Sequence, residues 1–294
     1  MKRGKTWFIV KFLSPAVLLY GLFVVWPLVQ AFRISFYRWH GISAHKTFIG
    51  LANYSSLAHD KDFGKALTNN LYLLFVGGAI TLAVSVLIAH ALQLPNLMSK
   101  ALRSFILVPQ MLSLAVVAIL WMFIYNPSFG LVTSGMKAMG LRAYVHTWLG
   151  ESKTALPAVG VAFIWYAAGF YIMLFSAGLK AIPEEVTEAA ELDGARGFVR
   201  FTKISWPMLW SIKRVAIVHL TITVMNVFVL VYIMTNGGPD RATEMLLTYL
   251  YENAFKDSDY GYATAIAVAN FAVVMILSLM ILLAYRKNPE ASRA

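Results

Sequence analysis

The stretch at 182–207, IPEEVTEAAELDGARGFVRFTKISWP, sets four glutamates and an aspartate beside three basic residues, between two long apolar runs. Glu184, Glu188 and Glu191 fall three and four apart, so in a helix their carboxylates share one face, and Ala189 and Ala190 leave a smooth patch beside them. Paired carboxylates do general acid–base work only where a cleft holds them at the reacting proton. Glu185 and Glu188 lie in a segment too polar to cross a membrane, so they read as exposed docking groups. Two roles fit such a face: docking against another protein, or resting as an amphipathic connector on lipid headgroups.

The segment reads as two short helices. Pro183 starts the first, since its missing N–H would be unpaired in that turn anyway, and Glu184 and Glu185 complement the positive end of the helix dipole. Gly194, following Asp193, is placed to take the left-handed conformation that ends a helix. A second, basic helix is expected over 195–204, with Pro207 separating it from the next apolar run.

Other polar groups lie inside apolar runs, where facing lipid is costly. His219, Thr223 and Asn226 are spaced four and three apart and form one stripe, with Asn226 near the middle of its run. The stripe serves either as a path for a polar solute or as helix-to-helix hydrogen bonding, and His219 alone reads as structural. Trp165, Tyr166 and Tyr171, with Asn270 in the last run, offer ring-stacking and hydrogen-bonding groups of the kind that carbohydrate recognition uses. Aromatic packing within a bundle asks for the same residue types.

With no cysteine in the chain, disulfides, a thiolate nucleophile and cysteine-ligated metal are excluded. There is no G-x-x-x-x-G-K-S/T phosphate loop, no H-E-x-x-H helix and no G-x-S-x-G turn. No catalytic residue, metal ligand or bound cofactor is therefore assigned to the chain.

The elements that must carry these groups are membrane spans. A chain of 294 residues that is 59% hydrophobic and 13% charged has too many apolar residues for a water-soluble globule of its size. A spanning helix needs about 20 apolar residues. Six uncharged windows reach that length, at 12–32, 70–93, 104–125, 156–179, 215–235 and 262–285. The opening MKRGK resembles a signal peptide, but no small-x-small cleavage site closes the apolar stretch behind it, so a retained first span is expected. Across alternate connections, with Arg33 at the end of the first window counted apart, fifteen Lys and Arg lie on the side that carries both termini, against nine in longer segments on the other. The positive-inside rule assigns the first side to the cytoplasm. The formal charge of +11 then reflects topology and not nucleic acid.

The expected fold is an all-α integral membrane protein with six transmembrane helices and both termini cytoplasmic. Residues 1–11 form an N-terminal segment, 12–286 a transmembrane domain that includes the 180–211 loop, and 287–294 a cytoplasmic tail. Three outer loops of roughly thirty residues each exceed the usual short connections and offer a surface to an external partner. Trp26, Trp39, Trp121, Tyr125, Trp148 and Tyr285 fall near predicted boundaries, where such rings anchor a span.

Glu188, Ala189, Ala190, Asp193, Gly194, Ala195, Ile204 and Pro207 resemble the EAA loop of binding-protein-dependent ABC importer permeases. That pattern runs E-A-A, three residues, G, nine residues, I, x, L-P, and Gly194 and Ile204 keep its spacing. Trp206 replaces the usual leucine. Trp26 with Pro27, FIGLANY at 48–54, NPSFG at 126–130 and TNGGP at 235–239 are similar to landmarks of the carbohydrate branch, which includes maltose, glycerol-phosphate and multiple-sugar permeases. Relatives in that branch often carry a polar residue three positions after the one matched by Asn226, where this chain has Val229.

The resemblance implies a type I ABC importer permease fold in a bacterial or archaeal cytoplasmic membrane, crossed several times, with the EAA-like loop acting as a coupling helix for a cytosolic ATPase. It implies a second related permease subunit as a heterodimer partner, two ATPase subunits that hold ATP and Mg, an extracytoplasmic binding protein, and a sugar-like solute. Two other classes compete with this one. An ion-coupled secondary transporter would need coupling sites near the midplane, and no acid lies inside any window. An intramembrane enzyme would need activated groups, for which only His219 and His90 come near. Neither accounts for the EAA-like loop.

Overall fold

A computed structural model describes residues 2–41, 45–93, 106 and 108–286. The chain divides into two compact units, one formed by 1–63 with 250–271, the other by 64–249 with the chain from 272 onward.

In the first unit the opening apolar run folds as one helix, Trp7–Ile34, continuous through a wide turn at Gly21–Val25. There Trp26 N–H reaches back five residues to Gly21 O, a widened turn that directly precedes Pro27 at the start of the next α-helical stretch. None of the helix's most apolar window is buried within the protein, so its side chains demand a non-aqueous surrounding. Its end is clamped by the FIGLANY stretch: Asn53 Nδ2 donates to Ser35 O (2.8 Å) and Tyr37 O (3.1 Å), and Tyr54 Oη lies 2.6 Å from Ser35 Oγ. A short antiparallel pair, Tyr37–Arg38 with Thr47–Phe48, sets Tyr37 opposite Phe48 and returns the chain to that clamp.

The second unit is built around the helix Ala155–Lys180, against which parts of Lys61–Ala91, Leu114–Ile124, Trp210–Met225 and Val229–Met234 pack. Small residues let the backbones approach: Ala158, Ala162, Ala167, Ala168 and Gly160 are buried on the central helix. A Cβ on Gly178 would lie 2.8 Å from both Leu209 Cδ2 and Ile212 Cγ1, so only glycine fits that crossing as it stands. Ser85 Oγ donates across the packing to Ala168 O (3.2 Å).

Among the described residues, four helices are long and apolar enough to cross a membrane: Trp7–Ile34, Lys61–Ala91, Ala155–Lys180 and Tyr260–Ala284. Gly197–Met208 and Trp210–Met225, bent by 72° at their junction, make a fifth if the pair is one span. The window at 104–125 is interrupted. Ser113 is extended and its Oγ accepts from Val116 N (3.4 Å), so a new helix, Leu114–Ile124, starts there; positions 104, 105 and 107 lie outside the described residues. The window at 215–235 is not one helix either. Trp210–Met225 stops at Asn226, whose amide turns back to Ile222 O (2.8 Å), while Asn70 Nδ2 takes Val224 O (3.0 Å), a carbonyl that a continuing helix would use itself. The expected tail at 287–294 lies outside the described residues.

Candidate functional site

The polar loop leaves Ala155–Lys180 and enters Glu184–Leu192 through an extended Pro183. Gly194 has φ +79°; its N–H donates to Glu191 O (3.1 Å) and Ala195 N–H to Ala190 O (2.8 Å), the paired closure that satisfies the last carbonyls of a helix. A Cβ at Gly194 would meet nothing within 4 Å, so the backbone angle alone asks for glycine. Glu184, Glu185, Glu188 and Asp193 are exposed, as is Glu191, which pairs with Arg200 (2.5 Å).

Three expectations are corrected here. The smooth alanine patch is split: Ala189 is exposed, but Ala190 is buried, because consecutive residues of a helix point about 100° apart. The second helix starts at Gly197, not Ala195, since Arg196 is extended and Gly197 takes φ +54°. That helix continues through Pro207 to Met208 and breaks at Leu209. A wide turn at Phe201–Ser205, in which Trp206 N–H reaches Phe201 O, precedes the proline and makes room for it. Ala195 and Ile204 are half-buried and Pro207 exposed. The acidic helix also carries apolar surface that its sequence did not advertise: Leu192 is 89% exposed, and Phe198 beyond the turn is 65% exposed.

The polar stripe keeps its common face. His219 and Asn226 are exposed on Trp210–Met225, Thr223 Oγ1 donates to His219 O (2.9 Å), and Asn226 ends the helix instead of lying at its middle. Tyr171 joins them: its hydroxyl is 3.0 Å from His219 Nδ1, and the His219 ring stacks on Phe170 at 4.5 Å between centroids. His219 also lines a groove of about 480 Å³ with Arg214, Val215, Val218, Ile222 and Leu282. Trp165 and Tyr166 are not part of this group. Trp165 packs edge-on against Trp121 and lines an apolar groove with Ile80 and Val84, and the Tyr166 carbonyl accepts from Gln110 Nε2. Asn270 belongs to the first unit, where it is buried.

Two further groups escaped the sequence reading. Lys213 is buried, with Nζ donating to Trp206 O (2.7 Å) and lying 4.3 Å from the Trp206 ring centroid. Its sequence signal is a lysine seven and three residues after two tryptophans, at the start of an apolar run. Glu244 is buried behind the TNGGP turn: Arg241 Nη1 donates to it (3.0 Å), Thr248 Oγ1 donates to it (2.5 Å), and Asn69 Nδ2 donates to its main-chain oxygen (2.9 Å). An acid and an arginine just after a glycine turn, with an Asn pair heading an apolar run, were the available signs.

Over residues 79–287 the chain matches the family described as binding-protein-dependent transport system inner membrane component. It is 36% identical to the probable ABC transporter permease protein YurN of Bacillus subtilis, over 95% of this chain and 96% of that one. It is 31% identical to the diacetylchitobiose uptake system permease protein NgcF of Streptomyces coelicolor (95% and 82% covered), and 32% identical to the multiple sugar-binding transport system permease protein MsmF of Streptococcus mutans (92% and 92%). Its fold is similar to that of a chain from a bacterial ABC transporter involved in importing the acidic polysaccharide alginate, at 21% identity and a TM-score of 0.83, covering 96% of each chain. The apolar helices, the polar loop closed at Gly194 and these likenesses lead to one conclusion: the chain belongs to the family of inner membrane components of binding-protein-dependent transport systems.

Proposed function

We propose that this chain is the permease subunit of an ABC importer that carries a sugar or sugar-like solute delivered by an extracytoplasmic binding protein. The observation that carries the reading is the Glu184–Leu192 helix, whose acidic face is exposed, whose end is fixed by Gly194, and beside which Leu192 stands almost wholly free. An exposed leucine flanked by carboxylates is costly in water and gains from a partner cleft with an apolar floor and basic rim. In the proposed assembly six helices cross a bacterial or archaeal cytoplasmic membrane with both termini inside. A second related permease completes the pathway as a heterodimer, and two ATPase subunits hold ATP and Mg. Glu188, Ala189, Ala190, Asp193, Gly194, Ala195, Ile204 and Pro207 form the coupling element.

The solute class follows from relatives named for sugar and diacetylchitobiose uptake. The face bearing His219, Thr223 and Asn226 is suited to it, since imidazole, hydroxyl and amide groups can exchange hydrogen bonds with a polyol while Phe170 offers a ring face; Tyr171 is buried behind His219 and acts there by orienting the imidazole. Trp165, Tyr166 and Asn270 remain secondary candidates in this scheme.

The test uses the cysteine-free chain. Leu192→Cys in intact cells should resist a membrane-impermeant thiol reagent and react after the cells are opened; labelling from outside would put the loop on the wrong side. Gly194→Asp should insert normally yet leave ATP hydrolysis uncoupled from uptake, and wild-type uptake at equal membrane abundance would remove the loop from the mechanism.

A further inference from the structure

Lys213 is buried in the first turn of Trp210–Met225, where its neighbour Arg214 is not, and the coupling scheme above gives it no task. Its place is a joint. Gly197–Met208 ends at Leu209 and Trp210–Met225 departs at 72°. The last four carbonyls of a helix lose their partners in the ladder and carry partial negative charge, which favours a cation. Lys213 reaches back across the break and donates to one of them, Trp206 O, at 2.7 Å. Its Nζ lies 4.3 Å from the centroid of the Trp206 ring on one arm and 5.6 Å from that of Trp210 on the other, so one ammonium touches both arms.

The surrounding parts fix the pivot and the second arm. Leu209 at the pivot is buried against Gly178 of the central helix. Trp210 Nε1 donates to Tyr285 O (3.2 Å), tying the second arm to the end of the last helix. Trp206, the departure from the leucine of the EAA-like pattern, supplies the ring that a leucine would not.

We propose that Lys213 is a positioning residue that pins this joint, holding the angle between the two helices so that displacement of the 180–211 loop moves Trp210–Met225 as one body. The proposal rests on the coupling role given to that loop.

Spin labels at Thr202→Cys and Ser211→Cys, both exposed and one on each arm, report the joint in the complete transporter in lipid vesicles. With Lys213 present the label distance is narrowly distributed. Lys213→Met, which keeps the buried apolar stem, broadens it and lowers uptake per ATP by about tenfold, the equivalent of one charge-assisted hydrogen bond, while the ATPase still co-purifies. Lys213→Arg restores both. A narrow distribution or undiminished uptake in Lys213→Met overturns the pin, and so does loss of the ATPase from that variant, which would mark a folding requirement instead. Failure of the coupling reading is separate: Leu192→Cys in the otherwise unaltered chain would then not cross-link to the ATPase, whatever Lys213 does.

Discussion

The loops at 180–211 and 235–249 use the same parts to opposite ends. Each turns on a glycine with positive φ, Gly194 at +79° and Gly237 at +83°, and each sets acidic groups beside that turn. In the second loop the acid is enclosed: Glu244 is 3% exposed and satisfied by Arg241 and Thr248, with Gly237 against its carboxylate. In the first loop Glu184, Glu185 and Glu188 face outward and Gly194 stands in open space. A buried charge needs its partners within the fold, whereas an exposed one is satisfied by water and stays accessible to another surface. One loop is thus closed by its own chain, and the other keeps its acidic groups at the surface.

Substitutions can break that contrast. The largest loss of stability is expected for Glu244→Ala, which strips Arg241 and Thr248 of their acceptor and should lower unfolding stability in detergent by about 3 kcal/mol. An unchanged melting curve would place the two loops in one class. Gly237→Ala comes next, at about 2 kcal/mol, because the new Cβ would sit 2.7 Å from Glu244 Oε2 on a backbone already at positive φ. Gly194→Ala has only the backbone penalty and should cost about 1 kcal/mol in the same measurement. Equal effects at the two glycines would erase the distinction.

The smallest effect concerns a third loop. Glu151 accepts from Thr147 N–H and Oγ1, both at 2.9 Å, and lies 3.0 Å from His146 Nδ1; the Thr147 bonds come first in holding its carboxyl below the ordinary value of 4.5. A depressed folded-state pKa stabilises above the unfolded value and loses that contribution as pH falls through the folded one. The melting advantage of the native chain over Glu151→Gln should therefore be present at neutral pH and shrink below about 4.5. An advantage that grows with acid would contradict the assigned bonds.

The helical membrane class, the long apolar helix at Trp7–Ile34 and the helix stop at Gly194 were legible from the residues, because each depends on local chemistry: uncharged length and a glycine after an acid. The broken window at 215–235 was not legible. It carries no charge and runs past the length of a span, and the break depends on Asn70, more than a hundred residues earlier, taking the carbonyl of Val224. Tyr171 and His219 were named separately as aromatic and polar candidates, yet their hydrogen bond joins two helices whose register no periodicity fixes.

What the sequence determined by itself is the solvent of the protein and the punctuation of its helices, since transfer of side chains to lipid and the φ preference of glycine are properties of single residues and short segments. Tertiary structure alone decided which polar groups share a site, that Glu244 is enclosed while Glu188 is offered outward, and that Lys213 spans a bend. Burial and long-range hydrogen bonds depend on which distant segments pack together, and a linear pattern does not contain that pairing.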